Sequence, residues 1–174
     1  MTQPTDDPLT PDLLRNLALF GALSDDILRH LCKTLRTVRY QSGDEIFHEG
    51  DSAREMFVII DGELEVLKRS RRGSESRVAV LGPGDSLGEM ALVDMQNRSA
   101  TVRAVAPARL ICVTAEAMES LYRTDLKAYT LIVLNIARDL SRRLRVTDGI
   151  LADFVANVLD EFVQRARTGR PPPP

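Results

Sequence analysis

The apolar positions change period along the chain. After a polar, acidic lead over residues 1–9, expected to be disordered, Thr10-Pro11 reads as an N-cap followed by proline at the first helical position. Leu13, Leu14, Leu17 and Ala18 then form a helical stripe that Phe20-Gly21 ends. Ser24 caps a second helix, with Asp25 and Asp26 at its positive end and Ile27, Leu28, Leu31, Cys32 and Leu35 on its apolar face. From Thr37 to Val113 the period falls to two, in short runs separated by turn signals such as Ser42-Gly43-Asp44, Asp61-Gly62 and Gly82-Pro83-Gly84. Asp61-Gly62 predicts a tight hairpin between its flanking runs. Strands of this spacing predict an α+β protein built on an antiparallel sandwich or barrel. Thr114 caps a further helix over Ala115–Arg123, and another begins near Leu126.

That last helix carries a heptad seam: Val133, Ala137, Leu140, Leu144, Thr147, Leu151, Phe154 and Val158 recur at steps of four and three. Such a seam pairs with a second copy in a parallel dimer, or packs against the protein's own sheet. Gly149 is costly inside a helix and suggests a break or hinge just after Thr147. Phe154–Ala166 then reads as one more amphipathic segment, and the tail Pro171–Pro174 as an extended, exposed end.

Composition narrows the classes. In 174 residues, 44% hydrophobic and 28% charged positions fit one globular domain with an added helix. A net charge of −2 gives the chain no general attraction for nucleic acid or membranes. No apolar run is long enough to span a bilayer, and the N-terminus has no signal-like apolar region. Cys32 and Cys112 fit no metal or redox spacing and suit reduced thiols in the cytoplasm. His30 and His48 have no metal-spaced company.

The candidate chemistry is concentrated in Gly84–Arg103. Gly88 permits a tight turn and close approach to a ligand. A helical turn starting at Glu89 leaves the N–H groups of Glu89, Met90 and Ala91 for a phosphate. Arg98 offers a planar fork of donors, Ser99 a hydroxyl, and the Glu89 carboxylate suits a sugar hydroxyl. Gly84-Asp85-Ser86-Leu87 also spells a serine-hydrolase signature. That chemistry needs a downstream histidine as base, and both histidines lie upstream in a β-rich context, so no enzyme is expected.

Gly88-Glu89-Met90-Ala91-Leu92 followed by Arg98-Ser99-Ala100-Thr101-Val102 resembles the phosphate-binding cassette of cyclic-nucleotide-binding domains, the family of catabolite gene activators, cyclic-nucleotide-gated channels and cyclic-nucleotide-dependent kinases. The resemblance covers about residues 12–150 and implies a β-jelly roll flanked by N-terminal helices and a long C-terminal helix. It implies that the cyclic phosphate meets Arg98, Ser99 and the amides at Glu89–Ala91, with Val78, Ala79 and Leu81 as an apolar wall for base and sugar. It further implies that Arg143 approaches Glu89 and that Thr147 reaches the adenine amino group, often across a dimer. Asp148 stands where the family has serine; a carboxylate there accepts from adenine and repels the guanine carbonyl, or else faces solvent. Adenine is therefore the expected base, with cGMP the second candidate.

These observations predict a disordered lead over 1–9, a cyclic-nucleotide-binding roll with flanking helices over 10–125, dimerisation or lid helices over 126–166 and a proline-rich tail over 167–174. The expected protein is a stand-alone receptor for cAMP, with no cofactor, metal, DNA or membrane partner. It would be a homodimer through the C-terminal helix, which moves on binding and signals to an unidentified effector protein. The alternative is a dimerisation or adaptor module that is not governed by a nucleotide.

Overall fold

The computed structural model describes residues 3–4, 8–70 and 73–168. Its elements are β1 (Gln3–Pro4), α1 (Pro11–Arg15), α2 (Asp25–Thr34), β2 (Arg36–Tyr40), β3 (Glu45–Phe47), β4 (Glu55–Asp61), β5 (Leu64–Arg69), β6 (Glu75–Leu81), β7 (Ser86–Leu87), α3 (Met90–Val93), β8 (Thr101–Ala104), β9 (Ala108–Thr114), α4 (Ala115–Thr124) and α5 (Leu126–Thr168). A 3₁₀ turn, Ala18–Phe20, follows α1. Among the described residues the strands form two antiparallel sheets, in the orders β1-β2-β9-β4-β7 and β3-β8-β5-β6. The protein is an antiparallel β-jelly roll with helices at both ends, as expected.

The helix starts follow their caps. The side chains of Thr10, Ser24 and Thr114 accept from the amides of Leu13, Ile27 and Ala117 respectively. Asp125 Oδ1 accepts from the Ala128 amide at 2.9 Å and so caps α5. The first helix differs from expectation: Leu17 is extended, which divides the stripe into α1 and the 3₁₀ turn.

The two sheets bury one another's inner faces. Phe57, Ile59, Leu110 and Cys112 of the first sheet share a core cluster with Leu64, Leu81, Val102 and Ala104 of the second. Met56, Val58, Ile111 and Val113 alternate with the inner residues of β4 and β9 and are also buried. Helices supply their cover, with Leu14, Phe20, Leu28, Leu31, Met118 and Leu121 buried.

Asp61-Gly62 is a corner, not a hairpin. β4 pairs with β7 and β9, whereas β5 pairs with β6 and β8, so the chain passes from one sheet to the other there. Gly62 has φ +99°, and a Cβ on it would lie 2.5 Å from Pro107 O and Ala108 Cα. The turn chemistry was legible, but it does not specify which strands pair across the turn. The hairpin closest to that expectation joins β5 to β6, with the Ser70 amide donating to Ser74 O at 2.8 Å.

Three boundary expectations need correction. The lead is not wholly unstructured: Gln3 and Pro4 pair with Arg39 and Val38, and Leu9 is buried. The chain divides into Met1–Asn135 and Ile136–Pro174, later than the turn at residue 125 suggests. The first turns of α5 belong with the β-roll because Ala128 and Ile132 are buried and Asn135 Nδ2 donates to Leu19 O and Gly21 O at 3.0 and 3.1 Å. Finally, α5 is one helix of 43 residues that continues through Gly149 without a break. One weak residue costs only about 1 kcal/mol against many propagating turns. The proline tail lies outside the described residues.

Candidate functional site

The cassette spans from the edge of one sheet to the interior of the other. β7 pairs with β4 through Leu87–Phe57 and Ser86–Val58, and the chain then leaves the sheet at Gly88. It re-enters as β8, which pairs with β5 and β3. Gly88 has φ +75°, and a Cβ on it would lie 2.1 Å from Nη1 and 3.1 Å from Cζ of Arg98. Only glycine fits this turn over an undisplaced guanidinium.

Glu89 is helical in backbone and stands at the N-cap of α3. The helical bonds begin with the Leu92 and Val93 amides donating to Glu89 O, both at 3.1 Å. The amides of Glu89, Met90 and Ala91 therefore precede the ladder, as the N-terminal amides of any helix do. The Glu89 side chain is 3% exposed.

Arg98 is fixed from both its backbone and its side chain. Its amide donates to Asp51 O at 2.8 Å, and its carbonyl accepts from the Gly50 amide at 2.9 Å. The side chain is 5% exposed. Nη1 donates to Gly88 O at 3.1 Å, and Cζ lies 4.0 Å from the centroid of the Phe47 ring. Phe47 in turn stacks on Phe57, with centroids 6.4 Å apart. Nε is buried without a hydrogen-bond partner. Burial pulls the guanidinium pKa down, against the opposing pull of Glu55, Asp51 and Glu89. Arginine's high intrinsic pKa keeps it cationic. A buried cation with an unpartnered Nε suits an anionic ligand: an unmet buried N–H costs about 1–3 kcal/mol, and charge-assisted bonds are strong.

Ser99 is exposed, and its Oγ lies 3.8 Å from Met90 Sδ. Its carbonyl accepts from Lys68 Nζ, which also donates to Glu49 Oε1 at 2.6 Å. Lys68 and the Arg69 amide hold the Glu49 carboxyl below the usual carboxylate range. Phe47, Asp51 and Lys68 were not singled out in the sequence. They come from distant strands and loops, and no local spacing marks them.

The expected apolar wall is divided. Leu81 lies in the core, whereas Val78, at 60% exposure, and Ala79 are open on the edge strand β6. Arg143, Thr147 and Asp148 belong to the second unit and are described on their own. Arg143 Nη2 pairs with Asp139 Oδ2 at 2.8 Å, and Thr147 Oγ1 donates to Arg143 O at 3.0 Å. Asp148 is exposed, with no ion pair among the described residues.

A cavity of about 530 Å³ is lined by Arg36, Phe47, His48, Asp51, Glu55 and Arg98, among others. Of the expected site residues it includes only Arg98. Near it, burial and the Glu55 carboxylate push the Cys112 thiol up to about 11, which makes it a poor nucleophile at neutral pH. Ser86 is buried within β7, so the hydrolase signature presents no hydroxyl to a substrate. Among the described residues no His, Cys, Asp or Glu group could hold a metal, and no helix is long and apolar enough to cross a membrane.

The cassette bridges two antiparallel sheets of a jelly roll and places a buried arginine under a positive-φ glycine. The chain belongs to the cyclic nucleotide-binding domain family, whose profile matches residues 37–125. It is similar to the cyclic AMP receptor protein of Thermus thermophilus, 34% identical over 63% of this chain and 49% of that protein. It is also similar to a CRP-like cAMP-activated global transcriptional regulator of Mycobacterium tuberculosis, 26% identical over 83% of this chain and 62% of that one. The chain thus spans 49% and 62% of the length of these two relatives. Among solved structures, a cyclic nucleotide-binding domain from Methylobacillus flagellatus superimposes with a TM-score of 0.74 at 25% identity, covering 82% of this chain and 80% of that one.

Proposed function

We propose that this chain is a cytoplasmic, non-enzymatic receptor for a cyclic nucleotide, cAMP in preference to cGMP. The reading rests on one observation above all: a buried Arg98 with an unpartnered Nε, lying under Gly88 in a complete cassette. The cyclic phosphate would take Arg98, Ser99 and the amides at Glu89–Ala91, and the ribose hydroxyl would take Glu89. Leu81 and the open edge residues Val78 and Ala79 are proposed to face base and sugar. Arg143 and Thr147 are proposed to complete the site, as in the family. The relatives named for cAMP support the adenine preference. Binding would shift α5 by the difference in affinity between two helix arrangements, and that shift would be read by a partner protein. The exposed heptad seam supports a homodimer through α5.

Calorimetry with cAMP and cGMP tests this. Binding of cAMP that is lost in Arg98→Ala supports the receptor. The second reading, an adaptor with a purely structural arginine, is favoured by the Gly88 carbonyl and the Phe47 ring already holding Arg98. Absence of heat with either nucleotide selects it.

A further inference from the structure

Arg98 is a buried cation that makes no ion pair among the described residues, although it lines one cavity with Asp51 and Glu55. Burial lowers its pKa, and of the carboxylates that oppose this, Glu55 acts most strongly. An unpaired buried cation draws any free carboxylate within reach. Something must therefore hold Glu55 away from it.

The sheet register brings a second cation to Glu55. Arg36 of β2 stands opposite Cys112 of β9, and Cys112 stands opposite Phe57 of β4, so the three share the inner face of the first sheet. Glu55, two residues before Phe57, lies on that face as well. Arg36 Nη2 donates to Glu55 Oε2 at 3.1 Å and to Cys112 Sγ at 3.5 Å, and Cys112 Sγ donates to the same Glu55 oxygen at 3.2 Å. Phe57 stacks on Phe47, whose ring lies under the Arg98 guanidinium. Gly88 closes the space from the other side: a Cβ built on it would lie 2.1 Å from Arg98 Nη1 and 3.4 Å from Glu55 O. Asp51 is engaged in its turn, its Oδ2 accepting from the His48 amide at 3.0 Å.

We infer that Arg36 is a positioning residue for the ligand site: it holds the Glu55 carboxylate, which otherwise closes on Arg98, and so leaves the guanidinium open to the ligand's phosphate. The inference rests on the receptor proposed above and adds an internal competitor to it. A carboxylate offers Arg98 the same oxyanion chemistry as a phosphate. Being part of the chain, it competes at a high effective concentration. If unheld Glu55 occupies Arg98 in about nine molecules of ten, one tenth stays competent and the apparent Kd for the nucleotide rises about tenfold.

Calorimetry with cAMP on the full chain tests this through the pattern of four variants. R36Q should weaken binding on the order of tenfold. E55Q should bind at least as tightly as wild type, because the competitor has lost its charge. R36Q/E55Q should return to within about twofold of wild type, and R36K, which keeps the cation, to within about threefold. The Arg36 side chain is 61% exposed, so circular dichroism should show every variant folded. Without ligand, the Arg98 Nε–H resonance, assigned by its loss in R98K, should shift in R36Q and return in the double variant. An R36Q protein that binds like wild type overturns the inference. So does a double variant as weak as R36Q, which would make Arg36 a support of the fold alone, and so does a tenfold loss in E55Q. A wild type that binds neither cAMP nor cGMP removes the receptor, and the Arg98 resonance then still decides whether Arg36 keeps Glu55 from it: a resonance unmoved in R36Q overturns that role.

Discussion

Arg98 and Arg143 show how differently the two units of the chain are satisfied. Arg98 sits at 5% exposure, held by a backbone carbonyl, an aromatic face and two backbone hydrogen bonds from a loop some fifty residues away. Arg143 is held by a carboxylate one turn back on its own helix. The β-roll is a closed system in which two sheets bury each other, leaving an unmet donor in the cassette. Residues 144–157 of α5 have helical hydrogen bonds but no apolar cover among the described residues. The groups left unmet differ in kind: a buried polar atom suits a small anion, and an exposed apolar stripe suits another surface.

Equivalent truncations in the two units sharpen this contrast most. Leu64 is fully buried in the core. Leu64→Ala should cost about 2–5 kcal/mol of unfolding free energy, read from urea melts. Leu151→Ala, at an exposed position, should change the stability of dilute protein by less than about 0.5 kcal/mol. At concentrations where α5 pairs, the same variant should weaken association. A comparable cost at Leu151 in dilute protein would mean that the helix is already covered.

The two glycines differ in the same way. Gly88→Ala forces a side chain into a positive-φ position at about 1–2 kcal/mol and pushes the tip of Arg98 off its bond to Gly88 O. The variant should remain folded by circular dichroism and fail to bind cAMP in calorimetry. Gly149 has no atom within 4 Å of a built Cβ and lies inside a continuous helix. Gly149→Ala should stabilise α5 by about 1 kcal/mol, seen as a higher thermal midpoint, without loss of cAMP affinity. If Gly149→Ala instead impairs binding, flexibility at that point belongs to the mechanism.

Local chemistry was legible from the sequence. Caps at Thr10, Ser24 and Thr114, the period-two runs and the cassette depend on residues a few positions apart. Strand pairing was less legible. Asp61-Gly62 announces a reversal but not a sheet change, because the strands beside it choose partners tens of residues away. The cradle of Arg98 was half legible for the same reason: Gly88 is near in sequence, while Phe47 and Asp51 arrive by topology. Gly149 misled because a local propensity of about 1 kcal/mol was set against a long cooperative helix.

The smallest expected effect concerns the loop that holds the Arg98 backbone. His48 Nε2 lies 2.6 Å from Glu45 Oε2, and Nδ1 lies 3.5 Å from Asp51 Oδ2. Asp51 O is the acceptor for the Arg98 amide. The Glu45 carboxylate above all, with Asp51 behind it, raises the His48 pKa above its ordinary 6.5. A raised folded pKa means that the pair stabilises the fold fully below the ordinary value and loses that contribution as pH rises through the folded one. The stability difference between wild type and His48→Gln should therefore be largest below about pH 6 and shrink toward pH 8. His48 is well exposed, so the difference should also fall as salt is added. Urea melts of both proteins at the two pH values measure it. A difference independent of pH would assign the contact to neutral hydrogen bonding, leaving the Arg98 cradle indifferent to protons.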